Sequence, residues 1–141
     1  AVLILRGRGH CLVGDEVTLS AGTTLGGHVR IGDRANLGMN VVVHQRRVIG
    51  PGTMVGMGAA VTRDVPPHAI AYGNPVRLHG ANVVGMRRAA IPDEHVDELD
   101  RAYASGVVPT VPPASLGASF EWWAVADPAK PLGVRAAPVP D

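Results

Sequence analysis

Three histidines recur at long, regular intervals in the first third of this 141-residue chain. His10 and His28 lie eighteen residues apart, and His44 follows sixteen residues later with Gln45 beside it. An imidazole set against a hydroxyl can take its proton while that hydroxyl attacks a carbonyl, an effect worth roughly 10²–10⁴ in rate. Three converging imidazoles can instead hold zinc. Each also has a plain reading, as a solvated turn residue or a satisfied structural histidine. Further along, Arg87-Arg88 is an adjacent basic pair suited to a phosphate or an acidic partner, the alternative being a solvated helix face. Cys11 is the only cysteine, so no internal disulfide can form. A reducing, cytoplasmic setting is the simplest expectation, with Cys11 as a small buried hydrophobe.

The elements that must carry these residues follow from a repeat. Val13, Leu19, Leu25, Ile31, Leu37, Val43, Ile49, Val55 and Val61 fall at a strict spacing of six. The next residue is usually glycine. Four residues after each aliphatic comes a small or β-branched side chain, except at Arg47. A period of six belongs neither to a helix nor to simple alternation. It is the hexapeptide repeat of a parallel β-helix, in which three hexapeptides close one triangular coil and the aliphatics stack inward. Residues 13–66 make three such coils, with coils ~4.8 Å apart. The columns expected are Val13–Ile31–Ile49, Leu19–Leu37–Val55 and Leu25–Val43–Val61. On this frame His10 and His28 stack on one edge. Spacing alone leaves the hand of the coil open.

Composition agrees. Aromatic residues are 4% of the chain, while Gly numbers 18 and Pro 12, a profile that suits a repetitive all-β fold better than a helical bundle. The formal net charge of +1 gives no case for nucleic acid, and no apolar run is long enough to span a bilayer. Three regions are expected: β-helix coils over residues 1–70 with an irregular start at 1–12, an exit loop and helical segment over 71–106, and a Pro-rich, loosely ordered tail over 107–141. Val65-Pro66-Pro67 ends the last coil, because proline cannot donate to a strand ladder. Pro92 to Ala104 reads as a helix with Val96, Leu99 and Tyr103 on one face, and Asn82–Ala90 as a shorter helical piece. Trp122-Trp123 is expected to pack the tail on another surface. No N-terminal cap covers the first coil, so another chain or coils upstream should do so.

Several strings share order and spacing with a known family. They are Leu25-Gly26-Gly27-His28-Val29, Val43-His44-Gln45, Asp64-Val65-Pro66-Pro67, Gly73-Asn74-Pro75 with Arg77, and Gly80-Ala81-Asn82-Val83-Val84-Gly85-Met86-Arg87-Arg88. Over roughly residues 11–104 the chain resembles the acyltransferases of lipid A biosynthesis that act on UDP-N-acetylglucosamine, and matches their C-terminal part. The resemblance implies a left-handed β-helix followed by a short α-helical segment. It also implies transfer of a 3-hydroxyacyl chain from acyl carrier protein to the 3-hydroxyl of UDP-N-acetylglucosamine. A homotrimer is implied, with sites between chains and no metal or other cofactor. By the same resemblance the Gly27 backbone N–H faces the oxyanion. His28, His44, Gln45, Asn82 and Arg88 line the substrate cleft, and Arg77, Arg87 and Arg88 meet the acidic carrier.

The chain departs from that pattern where chemistry is concentrated. In a gapless alignment the family's catalytic histidine falls at Gly9, a second histidine at Arg6, and the usual Asp after the base at His10. Arg46 stands where an aromatic normally follows His44-Gln45. His10, one position from the base, is the expected stand-in. Other readings are a scaffold without activity, an acetyl-coenzyme A-dependent acetyltransferase, against which the Asn82–Arg88 string argues, and a γ-type carbonic anhydrase with zinc between chains.

Overall fold

The computed structural model describes residues 3–5, for the backbone alone, and residues 10–135. Gly9 and Arg6, which bear on the base, lie outside them. Short strands recur every six residues: β1 (Leu3–Leu5), β2 (Leu12–Val13), β3 (Thr18–Leu19), β4 (Thr23–Leu25), β5 (Arg30–Ile31), β6 (Asn36–Leu37), β7 (Val42–Val43), β8 (Val48–Ile49), β9 (Met54–Val55) and β10 (Ala60–Val61). They stack as three parallel faces: β1-β4-β7-β10, then β2-β5-β8, then β3-β6-β9. All three expected columns form. Val13 pairs with Ile31 and Ile31 with Ile49, Leu19 with Leu37 and Leu37 with Val55, Leu25 with Val43 and Val43 with Val61. The inner side chains are sealed where coils cover them on both sides and open at the first coil: Ile31 is 1% exposed and Val13 43%.

Two backbone devices turn each corner, and only one of them is glycine. Immediately after the aliphatic the next coil approaches so closely that a side chain does not fit. A Cβ on Gly26 would stand 2.5 Å from the Gln45 nitrogen. Two residues later the chain enters the left-handed region, mostly without glycine, at Glu16, His28, Arg34, Asn40 and Arg46, with φ between 55° and 63°. Such a residue costs roughly 1–2 kcal/mol, repaid by the ladder bond its N–H makes to the coil before, as Arg46 N–H to the Gly27 carbonyl at 2.9 Å. The side chains of these tip residues are exposed.

The register slips twice, each time at the corner joining the first face to the second. Leu5 pairs with Leu25, an offset of twenty, while Leu12 pairs with Arg30 at eighteen. The chain between Leu5 and Leu12 is therefore two residues longer than that between Leu25 and Arg30. In the last coil Val65 bridges to Ile49, an offset of sixteen, so two residues are missing from the same corner. Val65 thus stands in the Val13 column, leaving nothing aliphatic above Arg47. The space goes to a buried ion pair, Arg47 to Asp64 at 3.7 Å. That is too long for a hydrogen bond, and the Arg47 Nη1 has no hydrogen-bond partner. Asp64 is better satisfied, accepting from Val48 N–H at 2.8 Å and Lys130 N–H at 2.6 Å.

Past the coils, β11 (Ala69–Tyr72) continues the third face and β12 (Arg77–Ala81) returns antiparallel to it. Two helices then form where the pattern placed them, α1 (Val83–Arg88) and α2 (Asp93–Ala104). Asn82 caps α1 by accepting the Gly85 N–H. Val96, Leu99 and Tyr103 of α2 are buried together, and the Tyr103 hydroxyl donates to the Pro67 carbonyl at 2.6 Å. Burial pushes that phenol well above its ordinary pKa, so it stays a donor.

The expectation of a loosely ordered tail over 107–141 is corrected for its described part. β13 (Val107–Val108) pairs with β14 (Val134–Arg135), and between them lies α3 (Gly117–Ala126). The proline count misleads because Pro109, Pro112, Pro113, Pro128 and Pro131 lie between or at the starts of elements, where no N–H is needed. Trp123 of α3 packs on Val48 with Trp122 beside it, Arg30 donates to the Ala126 carbonyl, and the Asp64 backbone pairs with residues 130 and 132. Ser119 Oγ meets the imidazole Nε2 of His68 at 2.9 Å, tying α3 to the exit of the last coil.

Two measurements test these contacts. Gly26→Ala should lower stability by about 1–3 kcal/mol in a denaturant titration, since neighbouring backbone must move. His68 is 4% exposed, and burial first, then the nearby Arg34 charge, lower its pKa from 6.5 to about 4. Between those values the unfolded chain binds the proton and the folded protein does not. Stability is therefore whole above pH 6.5 and falls toward pH 4, by about 3 kcal/mol at most. His68→Gln should flatten that fall relative to the parent protein in melts across this range.

Candidate active site

The corner between the first and second faces holds His10, His28, His44, Gln45 and Arg46, all exposed. Its geometry follows from the register. His28 is a left-handed tip, Arg46 is the tip of the next coil, and His10 lies one eighteen-residue period before His28. A cleft of about 260 Å³ is lined by His28, Arg30, Arg46 and Arg47 on the coil side and by Ala126, Asp127 and Ala129 on the tail. His44 Nδ1 lies 3.0 Å from the Gln45 carbonyl oxygen. A carbonyl can only accept, so this nitrogen carries the proton and a neutral His44 presents an unprotonated Nε2. Among the described residues His10 and His28 have no such contact fixing their tautomer.

Gly27 is buried in the same corner, and its N–H has no partner among the described residues. The same holds for Asp33, Met39 and Gln45, the second residues of other corners. A free N–H there recurs at several turns, although the equivalent Asp15 N–H is taken by the Asp33 carboxylate.

Asn82 and Arg88 lie elsewhere, at the corner between the second and third faces. The Asn82 amide donates to the Gly52 carbonyl at 3.0 Å and accepts from Gly85, so both ends of the group already hold α1 in place. One N–H of that amide remains for a ligand. Asn82 and Arg88 line a cleft of about 190 Å³ with Arg34, Gly52, His68, Gly85 and Ala89. Spacing in sequence did not single out Arg34 or His68. The signal for Arg34 was present, since it is a corner tip equivalent to His28, three residues after an inward aliphatic. His68 comes from the shortened coil and could not be placed by the period.

The basic residues expected to meet a carrier protein do not form one patch. Arg77 shares a cleft with Thr62 and Arg63, while Arg87, exposed at the end of α1, pairs with Asp93 at 3.4 Å. Among the described residues no three His, Cys, Asp or Glu side chains gather as a metal site within one chain.

Known proteins resemble the chain in sequence and in fold. Residues 64–105 match the family model described as UDP-N-acetylglucosamine O-acyltransferase, domain 2, and residues 10–45 match that of the bacterial transferase hexapeptide. The acyl-[acyl-carrier-protein]–UDP-N-acetylglucosamine O-acyltransferases of Burkholderia thailandensis and Burkholderia lata are each 43% identical to the chain over 96 residues. That alignment covers 67% of this chain and 37% of either relative, so the chain spans little more than a third of their length. Among solved structures, the UDP-N-acetylglucosamine O-acyltransferase of Moraxella catarrhalis superposes with a TM-score of 0.63 at 36% identity, over 66% of this chain and 36% of that one. LpxA of Acinetobacter baumannii superposes with a TM-score of 0.69 at 26% identity, over 95% of this chain and 58% of that one. The fold is the left-handed β-helix of these enzymes. In repeat, helical exit and sequence, this chain corresponds to the C-terminal part of the UDP-N-acetylglucosamine O-acyltransferase family.

Proposed function

We propose that the chain forms part of a homotrimeric acyltransferase that moves a 3-hydroxyacyl group from acyl carrier protein to the 3-hydroxyl of UDP-N-acetylglucosamine. The observation that carries this reading is the separation of the site residues. His28, His44 and Gln45 stand on one corner of the β-helix, and Asn82 and Arg88 on the next. A second chain brings the two sets together, and closed symmetric assemblies are the usual way to build such a site. Exposed Met39, Val42, Met57 and Tyr72, at and beside the third corner, give a further chain apolar surface to cover.

In this reading the sugar hydroxyl loses its proton to an imidazole as it attacks the thioester carbonyl. The Gly27 N–H stabilises the oxyanion, and collapse of the intermediate releases the carrier thiol. His10 is the base by its place in the coil, and His44 is the competing assignment by its tautomer. His28 and Gln45 orient the sugar, Asn82 and Arg88 hold the nucleotide part, and Arg77, Arg87 and Arg88 attract the carrier. A scaffold without chemistry is favoured by one observation: the corner preceding His28 has two extra residues and no histidine at the family's base position, whether counted back from Leu12 or forward from Leu5.

Transfer assays with a 3-hydroxyacyl carrier protein and UDP-N-acetylglucosamine separate these readings. The variant that removes the base, His10→Ala or His44→Ala, should lose roughly 10²–10⁴ in turnover. An inactive parent whose Gly9→His variant gains activity would establish the scaffold reading. Assembly is tested by mixing. His28→Ala and Arg88→Ala chains, each impaired alone, should recover roughly a quarter of the parent activity when refolded together, because that fraction of neighbouring pairs regains an intact site. No recovery from a well-formed mixed trimer would place the whole site within one chain.

A further inference from the structure

The cleft holding Asn82 and Arg88 contains a second guanidinium and no carboxylate among its lining residues. Arg34 and Arg88 are both exposed and both line it, and no Asp or Glu does. Among the described residues neither arginine makes an ion pair, whereas neighbouring charges are engaged. Arg87 is paired with Asp93, and the Asp33 carboxylate accepts the Asp15 N–H. The remaining walls are fixed. His68 is buried, accepts the Asn82 N–H on its carbonyl at 2.7 Å and donates its own N–H to Pro51 at 2.8 Å. Its ring packs over Gly52, where a Cβ would collide with it, and reaches Ser119 on α3. Held neutral by burial and by Arg34, it adds no third charge.

We propose that Arg34 is a specificity-determining residue that, opposite Arg88, makes this cleft a two-arginine site for a diphosphate. The inference rests on the nucleotide-sugar reading of the site and names the part of that substrate recognised here. Two forked donors on different elements, a coil tip and the end of α1, suit an anion with two phosphates better than one. Each fork can take two oxygens of one phosphate. The Asn82 amide is largely committed to Gly52 and Gly85, so the arginines supply most of the free donors.

Calorimetric titration of the whole protein with UDP, UMP and inorganic pyrophosphate tests this. UDP and pyrophosphate should bind, UMP more weakly, and affinity should fall as salt rises. Arg34→Ala should weaken UDP binding roughly 10–100-fold and bring it close to that of UMP, and Arg34→Lys should restore part of the loss. Arg63→Ala, at another corner, should leave binding as it was. In a transfer assay Arg34→Ala should raise KM for the nucleotide-sugar with little change in kcat. Unchanged UDP affinity in Arg34→Ala, or no UDP or pyrophosphate binding by the parent protein, overturns the inference. Transfer activity with Arg34 irrelevant to UDP leaves the acyltransferase reading standing alone. Arg34-dependent diphosphate binding without any transfer sustains this site and removes that reading.

Discussion

The eighteen-residue offset between stacked coils is the constraint on which the rest of the molecule depends. Each strand from β1 to β10 is only two or three residues long and could not persist alone. It persists because its N–H groups reach carbonyls of the next coil, seventeen residues away, as Gly14 to Ile31 and Gly32 to Ile49 do at 2.8 Å. The same offset stacks the aliphatics in columns and brings the coil backbone against each corner glycine. Stability is thus shared among near-identical neighbours, as in other solenoids.

Departures from that offset gather at one corner. The two extra residues between Leu5 and Leu12 and the two missing between Val61 and Val65 both fall at the junction of the first and second faces. His28, His44 and Gln45 occupy the regular coils between them. The lower slip falls one coil before His28. The upper one removes the aliphatic that would cover Arg47 and sets Asp64 there, with the tail residue Lys130 bonded to its carboxylate. The corner is therefore closed above by an ion pair and the tail, so that Ala126 at the end of α3 and Arg30 come to wall the cleft beside His28.

The second corner is built by different means. Its cleft depends on the exit from the coils, where Asn82 ties α1 to Gly52 and His68 ties the exit to both Pro51 and α3. A β-helix alone would present Arg34 on an open ridge. The helical segment converts that ridge into a cleft, adding Asn82, Gly85 and Arg88 to its lining. One period supplies the histidine corner, and a folded appendage adds Asn82 and Arg88 to the next corner.

The sequence alone determined the three-faced coil, its inward columns and the two helices after it, because a period of six has one physical solution and α1 and α2 carry local signals in Asn82, Pro92 and the Val96–Leu99–Tyr103 stripe. Strings around His28, His44 and Asn82 disclosed the family, and with it the candidate residues. Only the tertiary structure decided which of them share a corner. A side chain's place depends on the running count of residues per coil, and that count slips by two at each end. It also decided that residues 107–135 fold onto the coils, since the contacts of Trp123 with Val48 and of Lys130 with Asp64 join positions with no common period. Arg34 and His68 escaped notice for the same reason: each is an ordinary turn residue until the exit segment folds back and gives it a neighbour.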